Sequence, residues 1–239
     1  MTHQPSLQRR GQAFVDLILV IGSLVCVKAF LLRYDDLWTY AGPVSLLVAV
    51  AVATLCLRWR SQGWPLIGLG RPVGLWRLAL WTLLALVLTI VVGEVARALT
   101  PMAFGAADPT TQAIDARYQG RFDAVAGSLP DYLFWLSIAW IVGAFAEEML
   151  FRGMLVSRFE ALFSGVPYAA VVGVVLQAVL FGQQHFYYQG LAGWVATGAI
   201  GLVSGLLYLA FGRTLWPLVL AHGLSNSIGL TLLYLGLAG

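Results

Sequence analysis

The run Leu78-Ala-Leu-Trp-Thr-Leu-Leu-Ala-Leu-Val-Leu-Thr-Ile-Val-Val92 decides what kind of molecule this chain makes. No charged side chain interrupts it, and its apolar residues are contiguous rather than alternating. Extended to about Leu78–Leu99, with Glu94 near its end, it matches the roughly 20 residues a helix needs to cross a bilayer. Contiguity also argues against a transmembrane β-barrel, whose strands alternate. The whole chain carries the same signature. Of 239 residues, 60% are hydrophobic and only 10% are charged, and mean hydropathy is +0.83. Soluble domains carry about 25% charged residues. A soluble enzyme, a nucleic-acid binder and a disordered chain are therefore excluded as classes. Net charge is +3, and all but one of the 14 basic residues are Arg, so no Lys-rich arm points to nucleic acid.

Outward from this run the expected fold is an all-α polytopic transmembrane helix bundle of about seven spans plus a short interfacial helix, a single membrane domain over 1–239. The first span, about Phe14–Leu32, is interrupted by Asp16 and Lys28 and lacks a small-residue cleavage site, so it reads as a retained helix rather than a signal peptide. The second is about Trp38–Leu57, and Trp64–Arg77 reads as interfacial from its Trp, Arg and turn residues. Pro101 to Pro130, with Asp108, Asp115, Asp123, Arg117 and Arg121, reads as a long polar loop that could cap or gate a site. Asp131 is placed as the N-cap of the fourth segment, which stays helix-like through Phe163. Ser164-Gly-Val-Pro167 is a turn signal. The remaining spans are about Tyr168–Tyr188, Leu191–Phe211 and Leu215–Leu237. Alternating them from a cytoplasmic N-terminus puts most arginines inside and the Pro101–Pro130 stretch outside. The expected location is an integral, multi-pass membrane protein, in the plasma membrane if the source is bacterial. Cys26 and Cys56 lie in apolar runs without metal-like spacing and read as core or lipid-facing residues.

Ionisable residues inside apolar runs cost several kcal/mol to bury and so mark functional sites by default. Three groups stand out. In Glu147-Glu148-Met-Leu-Phe-Arg152, Glu148 and Arg152 are at i, i+4 and can pair on one helix face. Glu147 is rotated by about 100° and is free to face a cavity. Phe181-Gly-Gln-Gln-His185 and His222-Gly-Leu-Ser-Asn226 supply two histidines and an amide. Taken singly, each has a plainer reading: a neutralised arginine, a hydrogen-bonded core histidine, or polar glue between helices. Spacing weighs against those readings. Glu147 and His185 are 38 residues apart, and their midpoint, residue 166, lies in the Ser164–Pro167 turn. Two antiparallel helices folded there bring both to about 28 Å from the turn. His222 lies about 12 Å into the last span. All these groups are thus expected to converge on one buried pocket.

Such a set supports two chemistries. A carboxylate and an imidazole can take a proton from water that attacks a carbonyl, while a second His and an Asn donate to the developing oxyanion. Alternatively, Glu147, His185 and His222 can serve as a catalytic Zn²⁺ set with an open position for water. Asn226 is a poor zinc ligand and a good oxyanion donor, which favours a site without a cofactor. Intramembrane Glu and His chains also serve proton or ion transport, but no paired, interrupted helices recur in two halves.

The motifs Glu147-Glu148-x-x-x-Arg152, Phe181-x-x-x-His185 and His222-x-x-x-Asn226, intact and in order, resemble those of the CPBP intramembrane proteases. That family includes the type II CAAX prenyl endopeptidases and the bacterial Abi, bacteriocin-processing homologues. The resemblance covers about Ala146–Asn226, with a protease core about 131–237. It implies an intramembrane endopeptidase, of glutamic or metallo type, acting on a membrane-tethered peptide or protein in the lipid bilayer. It further implies that Glu147 activates water with His185, that His222 and Asn226 form the oxyanion site, that Glu148 supports the site and that Arg152 anchors Glu148. A non-catalytic immunity or scaffold protein on the same fold is the competing expectation. Prenylated substrates belong to the eukaryotic branch, and no residue here marks a prenyl groove.

Overall fold

The computed structural model describes residues 4–105 and 109–237, and within these the side chains of residues 4–7, 109–111 and 115 are left aside. Asp108 therefore lies outside the described residues, as does the Asp115 side chain. The described chain is helical, with no strand. Its helices are α1 (Gln4–Leu31), α2 (Ala41–Trp59), α3 (Leu75–Phe104), α4 (Pro109–Gly120), α5 (Leu129–Leu162), α6 (Ala169–Ala210) and α7 (Trp216–Tyr234). Short 3₁₀ turns lie at Asp35–Tyr40, Trp64–Ile67 and Asp123–Val125.

Five helices, α1 through α3 with α5 and α6, are long and apolar enough to cross a membrane; that of α2 is counted together with the preceding turn, as Asp35–Trp59. The expected seven are reduced for two reasons. Helix α7 is not among the five, because His222, Asn226, Ser225 and Ser227 dilute its hydropathy. The expected fifth and sixth spans are present as two arms of one 42-residue element broken at Gly190, and so are counted once. That element is not straight. Gly190 has φ 59° and ψ −160°, and its arms fold back on one another. A Cβ on Gly182 would lie 2.5 Å from the Trp194 carbonyl oxygen, and one on Gly205 2.7 Å from the Val174 side chain. Gln177 Nε2 donates to the Gly201 oxygen at 2.7 Å. Glycines on both arms thus permit a backbone-close antiparallel hairpin.

Helix α5 is central. From Glu148 to Val156 every residue is buried, as expected of a helix surrounded on all sides. Leu150, Phe151, Met154 and Leu155 join a core with α1, α2 and the first arm of α6. Met149 and Val156 join a second core with α3, the second arm and α7. Two stretches of α5, Ala139–Ala146 and Glu148–Leu155, are π-helical, flanking Glu147. Such i→i+5 winding is uncommon and gathers at functional sites.

Three local expectations are corrected. Helix α5 begins at Leu129 with Ser128 at the N-cap position and Pro130 in its first turn, two residues before Asp131. Asp131 instead accepts a hydrogen bond from the Ser128 hydroxyl. The Trp64–Arg77 segment is a single 3₁₀ turn followed by irregular chain, since Gly68, Gly70, Pro72 and Gly74 break helix, and Trp76 and Arg77 open α3. Pro101–Pro130 is largely helical: α3 continues through Pro101 to Phe104, and α4 follows.

Candidate active site

The turn between α5 and α6 occupies residues 163–168, around the expected Ser164–Pro167, with Tyr168 left-handed at φ 58°. From there the two helices run side by side. Near the turn, the Cβ position of Gly173 lies 2.9 Å from the Val156 oxygen, so the backbones nearly touch. Deeper in the bundle, the rings of Phe151 and Phe181 are 4.9 Å apart. The next turn brings Glu147, Glu148 and His185 to the same level. Helix α7 is seated against α5 by small residues. Gly223 makes room for Trp140, whose indole donates to Ser227 Oγ at 3.0 Å. Gly143 makes room for Asn226, whose Nδ2 would lie 3.0 Å from any Cβ there.

All five proposed chemical residues, Glu147, Glu148, His185, His222 and Asn226, line one cavity of about 450 Å³. Arg152 lies behind it, fully buried, with Nη1 3.3 Å from Glu148 Oε1 and its guanidinium 4.3 Å from the centre of the Phe181 ring. Glu148, also buried, accepts from His222 Nδ1 at 3.0 Å through that same Oε1. Glu147 is half-buried and has no hydrogen bond among the described residues; the nearest basic atom there is His222 Nε2, 3.9 Å from its Oε2. His185 is buried, with Nδ1 2.8 Å from the Phe181 oxygen. A carbonyl can only accept, so Nδ1 carries the proton and Nε2 is left as an acceptor. Asn226 Nδ2 reaches the Ala139 oxygen at 3.5 Å, a long and weak bond.

The sequence-derived pairing of Glu148 with Arg152 is thus present. The neighbour of Glu147 is His222 rather than His185. His222 faces both glutamates, a sharing that helical rotation in α5 alone did not suggest. Among the described residues, no three His, Cys, Asp or Glu side chains are grouped to hold a metal ion. His185 and His222 each have Nδ1 committed to an oxygen, and Glu148 is shared by Arg152 and His222.

Several cavity residues escape sequence reading. Lys28 of α1 bonds both the backbone oxygen and Oε1 of Gln184 and lies 4.8 Å from the Tyr187 ring centre. Tyr187 Oη in turn accepts the Gly42 N–H at 3.1 Å. Arg121, just after α4, sits over Trp135 at 4.7 Å and Phe122 at 5.0 Å, and with Tyr118 it lines the cavity. Lys28 was visible as a charge in an apolar span. Its partner, 156 residues away, was not.

Comparison with known proteins agrees with the motifs. Residues 129–228 match the family model described as Rce1-like, type II CAAX prenyl endopeptidase. An uncharacterized 24.3 kDa protein of Escherichia coli is 28% identical over 103 residues, 43% of this chain and 46% of that protein. The alignment therefore spans about half the length of that relative. No solved structure matches. Over residues 129–228 the chain thus resembles the CPBP/CAAX protease family, in its Rce1-like form.

Proposed function

We propose that the protein is an intramembrane endopeptidase that hydrolyses a peptide bond of a membrane-associated peptide or protein without a metal. The observation that carries this reading is the asymmetry of the two adjacent glutamates. Glu148 is held by Arg152 and His222, while Glu147 faces the shared cavity with no hydrogen bond among the described residues. A structural pair would use both carboxylates. A held one beside a free one suits a scaffold next to a base.

In this mechanism a water enters the cavity near Glu147 and His185. His185 Nε2 accepts one of its hydrogens and orients it, and Glu147 takes the other proton as the oxygen attacks the peptide carbonyl carbon. The carbonyl π electrons move to oxygen, and the resulting oxyanion accepts from Asn226 Nδ2–H and from Nε2–H of a doubly protonated His222 ring whose Nδ1–H stays on Glu148. Its collapse breaks the C–N bond, and Glu147 returns its proton to the leaving amine. Glu148 positions His222 through the Nδ1 bond, and Arg152 holds Glu148. The surrounding helices exclude bulk water, which strengthens each of these interactions. The positive-inside rule places the N-terminus of α1 in the cytoplasm.

The test is cleavage of a membrane-tethered peptide by protein reconstituted with Glu147→Ala. Activity should vanish while the thermal unfolding profile is retained. Undiminished turnover sinks the reading.

A further inference from the structure

A second pocket, of about 350 Å³, lies toward the other end of the helices, lined by Arg9, Gln12 and Asp16 of α1, Arg60 and Gln62 after α2, and Arg158 near the end of α5. Arg158 is eleven residues beyond Glu147, about 16 Å along the helix. It is therefore separate from the cavity that holds the glutamates. Three arginines face a single carboxylate here. Asp16 is buried at 1% exposure, and each of its oxygens is already taken: Arg60 Nη2 is 2.9 Å from Oδ1 and Arg158 Nε is 2.9 Å from Oδ2. Arg158 Nη2 goes on to Gln62 Oε1 at 2.8 Å.

Cationic donors remain after this pairing. Arg60 Nε is buried with no hydrogen-bond partner. Arg9 is exposed at the rim and has no partner among the described residues. An unmatched guanidinium donor in a polar pocket is costly to leave empty-handed, and guanidinium groups suit the tetrahedral oxygens of phosphate. The outward faces of the same two helices are apolar. Phe14 and Ile18 on α1, and Leu55 and Trp59 on α2, are all more than half exposed. Arg60 lies 5.0 Å from the Trp59 ring centre, an interfacial arrangement of Trp and Arg.

We propose that this pocket binds a phosphate oxyanion, carried by an acidic phospholipid whose acyl chains lie along α1 and α2, or taken from solution. Occupancy would tie α1 and α2 to the end of α5, the helix that holds Glu147. Basic pockets between membrane helices on the cytoplasmic side are suited to such headgroups.

The test uses the full chain in phosphatidylcholine nanodiscs, with phosphatidylglycerol, with added inorganic phosphate, or with neither. Phosphatidylglycerol should raise the unfolding midpoint and be retained in native mass spectra. Arg9→Gln should weaken retention about fivefold, whereas Arg58→Gln, an exposed arginine outside the pocket, should not. Asp16→Asn removes the competing carboxylate and should gain more from phosphatidylglycerol than the parent protein. Should that variant fail to fold, the contrast between Arg9 and Arg58 decides. Stabilisation by inorganic phosphate alone supports the site with a soluble source. No shift with either additive, or equal losses in Arg9→Gln and Arg58→Gln, overturns the proposal.

Discussion

His222 Nδ1 donates to Glu148 Oε1 at 3.0 Å, and the same oxygen faces Arg152 Nη1 at 3.3 Å. One carboxylate oxygen therefore couples α7 to a cation buried inside α5. The geometry separates what the two neighbouring glutamates do. Glu148 is engaged by both Arg152 and His222, and Glu147 faces the cavity.

Glu147→Gln and Glu148→Gln should therefore differ in kind. The first should lower turnover by about 10²–10⁴-fold, the usual contribution of a general base, with little change in unfolding temperature. The second leaves Arg152 buried without its anion, a loss of about 3–5 kcal/mol for a broken buried pair. Thermal unfolding and peptide cleavage measured on both proteins separate the effects; equal stability of the two would contradict the assignment.

The hairpin of α6 predicts a contrast between glycines. At Gly182 a methyl group would meet the Trp194 backbone oxygen at 2.5 Å, which cannot yield cheaply. Gly182→Ala should destabilise by about 1–3 kcal/mol through overpacking. At Gly198 the nearest atom is 3.6 Å away, an ordinary contact. Gly198→Ala should leave the unfolding midpoint nearly unchanged.

Gly190 makes a backbone argument of its own. Its φ of 59° with ψ −160° is a conformation that side-chain-bearing residues pay about 1–3 kcal/mol to adopt. Gly190→Ala should strain the hairpin tip and shift His185, five residues earlier, away from its level beside Glu147. The expected readout is reduced kcat together with a lower unfolding midpoint.

The segment after α4 forms part of the cavity wall. Arg121 lies against the rings of Trp135 and Phe122 and lines the cavity. Such cation–π contacts are worth about 0.5–2 kcal/mol. Arg121→Gln should loosen this wall and raise KM severalfold with a smaller effect on kcat. An unchanged KM would assign Arg121 a purely structural part.

The sequence was most readable where chemistry had to violate hydropathy. Glu147, Glu148, His185, His222 and Asn226 stood out because charges and amides are rare in apolar spans. The 38-residue separation then set two of them at one depth. Contacts between distant segments stayed hidden. Nothing in the order of residues joins Lys28 to Gln184, or Asp16 to Arg158, because the register of α1 against α5 and α6 is set by packing. Helix type was also beyond reach. The π winding of α5 leaves no mark on apolar composition, yet it places both neighbouring glutamates within reach of His222. The Pro101–Pro130 stretch misled because polar residues suggest a loop, whereas α4 is a helix packed against α6.

The cavity is not built from the family segment alone. Leu24 and Lys28 of α1, Pro43 and Leu46 of α2, and Ile90, Glu94 and Arg97 of α3 form much of its wall, and all precede residue 129. The motif residues and much of the wall that encloses them thus sit on different stretches of the chain. Substitutions in the first hundred residues can reshape the chamber while Glu147, His185 and His222 stay in place. Under the proposed reaction, changes in α1–α3 should alter which substrate the chamber admits, read as KM, while the motif residues stay in place.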